Sequence, residues 1–553
     1  MTEIIAPIAE NPRTSTTAKV GWATLIAATL CVCYFSHLGA IGFVGPDEPR
    51  YAWIARNMAE TGDWVTPRLY GKPWFEKPVL YYWGAALCFK LFGVSEAAAR
   101  LPSAISALLA TLALAWLALR LYGAETARWL LLLLPTTVGM IGFSHAAATD
   151  MPFGGMLTMA MVCAAVVLGL TRNENTPILP RTPWLPLLLF GFFLGLAVLA
   201  KGPVAIILSA GPIFFWALFR KRWREAFRLF HPAALASFCL TALPWYILCA
   251  RRNPDFFRIF IIEHNFKRYL TPEFQHIQPF WYYGPVILIA IFPWSVLVIN
   301  VVSDAVYSFR ESQWTKSESL FFAFWALLPL VFFSLSRSKL PGYVLPTLPP
   351  LAALAARNLS LGIQLSLAAS RWIAIFAAML LMVPAGVLWY VELLRPADTG
   401  LLLQQMSLLW TSLCALAGFF ALILAWRNRP QVALLTVLVA MLLSITAIHG
   451  VLRGTSAQGL SVRSSVRAAR NHWTDFVPGR TSGFKLSRGD QYALNFYLRH
   501  EVPTWSPDHR QPGWVFGNKN LWGDYWTQGM DCIFVMKSDA YSQPVVCKDP
   551  GTD

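Results

Sequence analysis

Long apolar segments alternate with short polar connections along most of the chain. Many of these segments run for about 18 residues or more with almost no charged side chain, which is the length that an α-helix needs to cross a bilayer. The pattern predicts thirteen transmembrane helices, at about 20–43, 97–121, 125–144, 150–170, 184–200, 203–219, 231–250, 279–302, 318–335, 340–356, 371–393, 403–426 and 430–449. The expected fold class is an α-helical polytopic membrane protein.

The distribution of basic residues predicts an orientation for these helices. Arginine and lysine are concentrated in alternate connections, of which RKRWR at 220–224 is the densest. The positive-inside rule places these connections in the cytoplasm. With an odd number of spans, the other loops and the C-terminal tail face the outside. The first apolar segment, 20–43, is too long and ends too acidically for a cleaved signal peptide, so we expect an uncleaved first span.

The hydrophobic pattern changes after residue 450. The tail combines tryptophans and polar turns with strand-like segments such as CIFVMK and QPVVCK, which are typical of a small mixed α/β domain. We therefore expect a transmembrane domain at 1–450, with amphipathic surface helices in its 44–96 loop, and a small C-terminal α/β domain at 451–553. The tail carries Cys532 and Cys547. In an oxidising compartment they could form a disulfide, and two free thiols are the open alternative.

The composition and the net charge indicate which classes of molecule the protein binds. Hydrophobic residues make up 56% of the 553 residues, charged residues make up 13%, and the net charge is +16. Such a charge in a soluble chain would suggest nucleic acid, but here the basic residues lie in loops between apolar spans. The pattern therefore excludes nucleic acid and favours membrane lipids or phosphorylated substrates.

The first outer loop, 44–96, carries polar residues that are unusual next to an apolar segment, namely two adjacent acids followed by an arginine. GPDEPRY at 45–51 begins a predicted amphipathic helix that Gly62 ends. Asp47 or Glu48 could be the N-terminal cap of this helix, or they could belong to a functional site.

The same outer loop also contains KPWFEKPVLYYW. This segment places Glu76 and Lys77 between prolines and aromatic residues. An interfacial aromatic belt with a snorkelling lysine is the structural alternative to a functional role.

Other outer loops add an acid and several cations. Asp150 in TDMP is either a helix cap or a site residue. Lys201 in LAKGP is a charge next to the hydrocarbon, which is costly unless it meets an anion. In the 251–278 loop, bases alternate with aromatic residues around His264 and Arg268, and a basic amphipathic surface helix is the alternative there.

A further short turn, SLSRSKLPGYVLP at 334–346, contributes Arg337, Lys339 and Tyr343. Acids from two loops and cations from four loops then converge on one membrane face. This arrangement suits a lipid-linked phosphate whose tail lies in the bilayer and whose head group lies at the interface. No glycine-rich nucleotide loop is present in the sequence, so a lipid-activated donor fits better than a nucleotide sugar.

With these residues identified, the chain resembles the membrane glycosyltransferases of the GT-C class, most closely the aminoarabinose transferases that modify lipid A. The resemblance covers the transmembrane region. It rests on the order of its motifs, which are DE-RYA at 47–52, GDWVTP at 62–67, FEKP at 75–78, an AARLPSA stretch near 92–104, TDMP at 149–152, LAKGP at 199–203 and SKLPGYVLP at 338–346.

The resemblance implies a reaction, its partners and a location. A GT-C fold of this family would transfer 4-amino-4-deoxy-L-arabinose from undecaprenyl phosphate to a phosphate of lipid A. The enzyme would lie in the bacterial inner membrane, with its active site and C-terminal domain in the periplasm. The cationic sugar would weaken the attraction between the cell surface and cationic peptides such as polymyxin.

The resemblance also implies residue roles. Asp47 would be the essential acid, with Asp150 as a second catalytic candidate. The donor and acceptor would be bound by Arg50, Tyr51, Lys77, Lys201, Arg268, Arg337, Lys339 and Tyr343. Glu76 and His264 would hold a divalent ion such as zinc, although a Glu and a His far apart in sequence show no ligand-spacing pattern.

Two alternatives stay open. A related polyprenyl-phosphate-dependent transferase could act on another acceptor, such as a protein hydroxyl or a lipopolysaccharide core sugar, and Asp47 would then be a general base. A lipid or sugar transporter is the alternative from another class. Transporters favour inverted repeats and sites at the bilayer midplane, whereas here no repeat is visible and the polar motifs share one face.

Overall fold

The computed structural model describes residues 16–171, 183–267, 277–310, 318–365, 367–393, 401–452, 461–506, 508, 510–518, 530–534 and 544–551. Within them, most of the chain is helical. The helices before the middle of the chain are α1 (Thr16–Phe35), α2 (Asp47–Thr61), α3 (Leu80–Phe92), α4 (Glu96–Tyr122), α5 (Ala124–Leu133), α6 (Val138–Ser144), α7 (Asp150–Val167), α8 (Trp184–Lys201), α9 (Val204–Arg220), α10 (Trp223–Phe227) and α11 (Pro232–Arg252).

The later helices are α12 (Tyr283–Ala290), α13 (Ser295–Arg310), α14 (Ser319–Leu335), α15 (Leu348–Leu365), α16 (Leu367–Leu393), α17 (Leu401–Trp426), α18 (Pro430–Leu452), α19 (Arg463–His472) and α20 (Arg488–Leu498). A π-helix covers Arg258–Lys267 and a 3₁₀-helix covers Pro341–Thr347. The strands are β1 (Arg68–Leu69), β2 (Lys72–Pro73), β3 (Thr481–Gly483), β4 (Gly513–Asn518), β5 (Asp531–Phe534) and β6 (Pro544–Asp549).

The apolar segments of the sequence are the helices of one bundle. Among the described residues, five helices are long and apolar enough to cross a membrane, and the number is seven if each of two bent helix pairs is one span. Five shorter apolar helices of 10–17 residues accompany them. The chain is therefore a multi-pass membrane protein, while the count of thirteen spans stays a prediction.

A small mixed sheet lies in the predicted C-terminal domain, whose boundary at 450 stays a prediction. The strand order is β3-β4-β6-β5, in which β3 and β4 are parallel and the other pairs are antiparallel. The predicted strand at CIFVMK is confirmed as β5 over its described part, 532–534, and the predicted strand at QPVVCK is confirmed as β6 over its described part, 544–548. The rest of both segments lies outside the described residues. Cys532 lies opposite Cys547 in this pair, and a disulfide joins them.

Helix α20 places the C-terminal domain on the first outer loop. It packs against α2, and Arg56 Nη1 donates to the carbonyl of Phe496 at 2.7 Å. The Tyr497 hydroxyl donates to Glu96 at 3.0 Å and accepts a hydrogen bond from the backbone N–H of Phe43 at 3.1 Å. The C-terminal domain and the loop that carries the candidate site are therefore directly joined.

Candidate active site

The two acids of GPDEPRY have different roles. Neither caps α2, because the N-cap residue is Pro46 and no side chain makes a capping bond there. The cap interpretation is wrong for a physical reason, since both acids lie inside the first turn, where they instead complement the positive end of the helix dipole. Glu48 accepts hydrogen bonds from Arg100 Nε and Nη2, both at 2.9 Å, and from the N–H of Ala147 at 2.8 Å. Glu48 is therefore a structural link between α2, α4 and the turn before α7.

Asp47 faces the other way. Its side chain is 56% exposed, and its Oδ1 accepts a hydrogen bond from Arg50 Nη2 at 2.5 Å. The guanidinium of Arg50 is buried and also pairs with Glu76 at 3.1 Å. A buried cation that is fixed from two sides holds the Asp47 carboxylate in a defined position, while the carboxylate itself stays accessible.

Aromatic rings surround Arg50. Its guanidinium carbon lies 5.0 Å from the ring centre of Tyr51, 5.5 Å from Trp74 and 6.0 Å from Tyr492 of α20. These distances are within the range of cation–π attraction. Burial lowers the pKa of Arg50, but Tyr51, Glu76 and Asp47 raise it by more, so its pKa lies above the ordinary value. Arg50 is a permanent cation at this position.

Glu76 and Lys77 of the FEKP motif join the same cluster. Both side chains are mostly buried, and Lys77 Nζ lies 4.0 Å from Glu76 Oε1. Burial and then the negative charge of Glu76 raise the pKa of Tyr51 well above its ordinary value, so its hydroxyl is protonated at neutral pH. The structure thus joins Asp47, Arg50, Tyr51, Glu76 and Lys77 in one cluster, which we call the α2 cluster.

The metal role of Glu76 and His264 stays a prediction. Phe75 contacts Phe256 with 5.1 Å between ring centres, which places the segment that leads into the π-helix beside the FEKP motif. His264 lies in that π-helix and is partly buried. Among the residues that the structure describes, no group of three or more His, Cys, Asp or Glu side chains is arranged to hold a metal ion.

A second cluster forms around Asp150. The N-cap of α7 is Thr149, so the cap interpretation of Asp150 is also wrong. Lys201 Nζ donates to Asp150 Oδ1 at 2.6 Å and lies 4.7 Å from the ring centre of Tyr343. A Cβ on Gly342 would lie 2.9 Å from Asp150 Oδ1, so the SKLPGYVLP turn approaches this carboxylate closely. We call Asp150, Lys201 and Tyr343 the α7 cluster.

Glu48 connects the two clusters. It follows Asp47 in α2, and it binds the N–H of Ala147, which is three residues before Asp150. The α2 cluster and the α7 cluster therefore belong to the same end of the helix bundle.

The remaining predicted residues differ in accessibility. Lys339 is buried, and its Nζ donates to the carbonyl of Ser336 at 2.6 Å. Burial and then the nearby Arg337 lower the pKa of Lys339. Arg337 is exposed and is the accessible cation of this turn. Arg268 lies outside the described residues, so its predicted role stays a prediction.

Sequence reasoning missed the residues that hold the site together. Arg100 and Arg56 are almost fully buried and bind backbone carbonyls of other elements. The GDWVTP motif also serves packing, because Trp245 Nε1 of α11 donates to the carbonyl of Val65 at 2.9 Å. The sequence did contain a signal for both arginines, because each is a charged residue inside an apolar pattern. Their partners could not be identified from the sequence, since those partners are distant along the chain.

Loss of the Arg56 contact is expected to loosen the C-terminal domain. Arg56→Met keeps the length of the side chain but removes its bonds to Phe496 O and to Glu60, and a hydrogen bond from a charged donor contributes about 1.5–3 kcal/mol. We expect faster cleavage of the purified protein in limited proteolysis, with cleavage near the start of the C-terminal domain. Arg68→Gln, at a half-exposed arginine of β1, is the control, and equal cleavage rates for both variants would contradict this role.

Comparisons with known proteins support this fold and identify a family. A family model described as dolichyl-phosphate-mannose-protein mannosyltransferase matches residues 24–260. The undecaprenyl phosphate-alpha-4-amino-4-deoxy-L-arabinose arabinosyl transferase of Erwinia tasmaniensis is 31% identical over 420 residues, which is 73% of each chain. The enzyme of the same name from Pseudomonas aeruginosa is 33% identical over 380 residues, which is 68% of this chain and 66% of the relative.

A solved structure supports the fold over nearly the whole length. The crystal structure of ArnT from Cupriavidus metallidurans bound to undecaprenyl phosphate covers 96% of this chain and 98% of its own, with a TM-score of 0.76 and 24% identity. The fold and the named relatives together define a membrane glycosyltransferase of the GT-C class. Within that class, the chain belongs to the family of undecaprenyl phosphate-α-4-amino-4-deoxy-L-arabinose arabinosyl transferases.

Proposed function

We propose that this protein transfers 4-amino-4-deoxy-L-arabinose from undecaprenyl phosphate to a phosphate of lipid A. The names of its relatives supply the donor and the sugar, and the structure of similar fold contains undecaprenyl phosphate. The proposed location is the periplasmic face of the bacterial inner membrane, and the proposed consequence is resistance to polymyxin and other cationic peptides. The positive-inside pattern of the sequence supports this orientation.

The observation that carries the proposal is the accessible Asp47 carboxylate on a buried Arg50. In the proposed reaction, an acceptor phosphate oxygen attacks the anomeric carbon of the sugar. The bond from that carbon to the donor phosphate oxygen breaks, and undecaprenyl phosphate leaves with the bonding electron pair. Because an acceptor phosphate is already ionised near neutral pH, this step does not require a general base.

The cations of the site would bind the phosphates. Lys77 belongs to the α2 cluster and Lys201 to the α7 cluster, and the exposed Arg337 lies in the turn that precedes Tyr343. Lys201 is paired with Asp150, so a phosphate that binds Lys201 would share it with this carboxylate or displace the carboxylate. Fixed cations that contact the departing phosphate stabilise its developing charge.

Reconstitution of the reaction tests this proposal. Purified protein would be incubated with undecaprenyl phosphate-aminoarabinose and either lipid A or lipid A from which the phosphates have been removed. We expect an aminopentose-modified product by mass spectrometry only with the phosphorylated acceptor. Modification of the dephosphorylated acceptor to the same extent would contradict a phosphate acceptor.

The match to a protein mannosyltransferase family model favours a second candidate, a transferase that acts on a protein hydroxyl. The two candidates differ in the pH profile of Asp47→Asn. With a phosphate acceptor we expect a lower rate and an unchanged profile, because Asp47 positions charge and does not take a proton. With a hydroxyl acceptor Asp47 would be the base, and the acidic limb of the kcat/KM profile would disappear.

A further inference from the structure

An apolar cavity lies beside α8, the helix that ends at Lys201. Its volume is about 510 Å³, and it lies between α8, α9, α10 and the start of α11. Phe190, Gly191 and Leu194 line it from α8, and Ile206 of α9 lines it five residues after Lys201. None of the lining residues belongs to the α2 cluster or to the α7 cluster.

The lining of this cavity is almost entirely carbon. Phenylalanine, leucine, isoleucine and alanine side chains form most of it. Ser209 is the hydroxyl-bearing residue of the lining, and its hydroxyl already donates to the carbonyl of Ile206 at 3.1 Å. Such a cavity offers no group to orient a polar ligand, but it accommodates a hydrocarbon chain.

The segment around α10 carries apolar residues that line the cavity and basic residues that do not. Trp223, Phe227 and Phe230 of α10 and the turn after it line the cavity. The basic residues of the same segment do not line it, and they are Arg220, Lys221, Arg222, Arg224 and Arg228, with Glu225 as the one acid among them. This is the pattern of an amphipathic segment at a membrane interface.

Two of these cations are available to a ligand. Arg222 pairs with Glu225 at 3.1 Å and lies 5.8 Å from the ring centre of Trp216. Arg224 and Arg228 are exposed and make no ion pair with the residues that the structure describes. The positive-inside rule explains the charges of this segment, but it does not explain why the basic residues alternate in sequence with residues that line an apolar cavity.

We propose that this cavity is a binding site for an anionic phospholipid, separate from the donor and acceptor sites. One acyl chain occupies the cavity, and the lipid phosphate binds Arg224 and Arg228. The apolar lining selects the hydrocarbon, and the two arginines select the negative head group. This site does not depend on the proposed transfer reaction, so it can be tested without any activity measurement.

Native mass spectrometry of the full-length, delipidated protein tests the proposal. Phosphatidylglycerol and phosphatidylcholine with the same acyl chains would be titrated separately. We expect phosphatidylglycerol to bind about tenfold more tightly than phosphatidylcholine, and the double variant Arg224→Gln/Arg228→Gln to lose this preference. Ala210→Trp places a large ring in the cavity and should weaken the binding of both lipids.

Matched controls separate this site from general lipid association. Arg427→Gln/Arg429→Gln removes two exposed cations from the connection between α17 and α18, and Leu416→Trp changes an exposed apolar position of α17. Neither control should change the affinity for phosphatidylglycerol. Equal affinities for the two lipids in the unmodified protein, or equal losses in the control variants, would overturn the proposal. Displacement of the bound phosphatidylglycerol by undecaprenyl phosphate would also overturn it and would assign the cavity to the donor chain.

Discussion

Asp47→Asn is expected to lower kcat/KM about 10²–10³-fold while the protein stays folded. The substitution preserves the shape of the side chain and removes the charge that Arg50 holds at the proposed reacting centre, and the loss of one such electrostatic contact has this magnitude. Because the Asp47 side chain is 56% exposed, we expect a stability change of less than about 1 kcal/mol. The reconstituted transfer assay and the thermal unfolding of the same preparation measure both effects.

Glu48→Gln is the matched control for Asp47→Asn. The two acids are adjacent in sequence, but Glu48 accepts hydrogen bonds from Arg100 and from the N–H of Ala147. We therefore expect Glu48→Gln to act mainly by lowering the stability of the folded protein. If folded Asp47→Asn retained more than half of the unmodified kcat/KM, the functional role of Asp47 would be contradicted.

Arg100→Leu is expected to cause the largest loss of stability. Arg100 donates to the carbonyls of Leu38, Ile41 and Gly42 and forms the buried ion pair with Glu48. Removing one partner of a buried ion pair typically destabilises a protein by about 3–5 kcal/mol, because the other charge is left unpaired. We expect a much lower unfolding temperature and aggregation in detergent.

The control for Arg100→Leu is an arginine at the protein surface. Arg128 pairs with Glu125 at 3.5 Å, and its side chain is 30% exposed. Arg128→Gln should therefore change stability by less than about 1 kcal/mol. Equal unfolding temperatures for the Arg100 and Arg128 variants would show that the buried network does not organise the loop before α2.

The local elements of the site could be predicted from the sequence. The hydrophobic pattern and Gly62 placed the helix that begins in GPDEPRY correctly, since α2 ends at Thr61 and Gly62 has a left-handed backbone with φ of 75°. The described parts of the two strand-like segments of the tail were confirmed for the same reason, because hydrophobic period and turn residues are local properties.

The division of roles within the site could not be predicted in this way. Asp47 and Glu48 are separated by about 100° around the helix axis, so one meets solvent and the other meets Arg100. The sequence does not show which of the two acids is exposed and which pairs with Arg100, because this depends on the position of α4. Similarly, the pair of Lys201 and Asp150 joins residues that are 51 positions apart, and only the packing of α7 on α8 creates it.

The central claim is that this chain modifies lipid A and that Asp47 is required. The most direct measurement is mass spectrometry of lipid A from a polymyxin-sensitive strain that lacks its own transferase and expresses either this protein or its Asp47→Asn variant. We expect aminopentose-modified lipid A with the unmodified protein and a loss of at least 90% of it with the variant at equal expression. Unmodified lipid A in cells that contain the intact, membrane-inserted protein would contradict the claim and would direct attention to another sugar or acceptor.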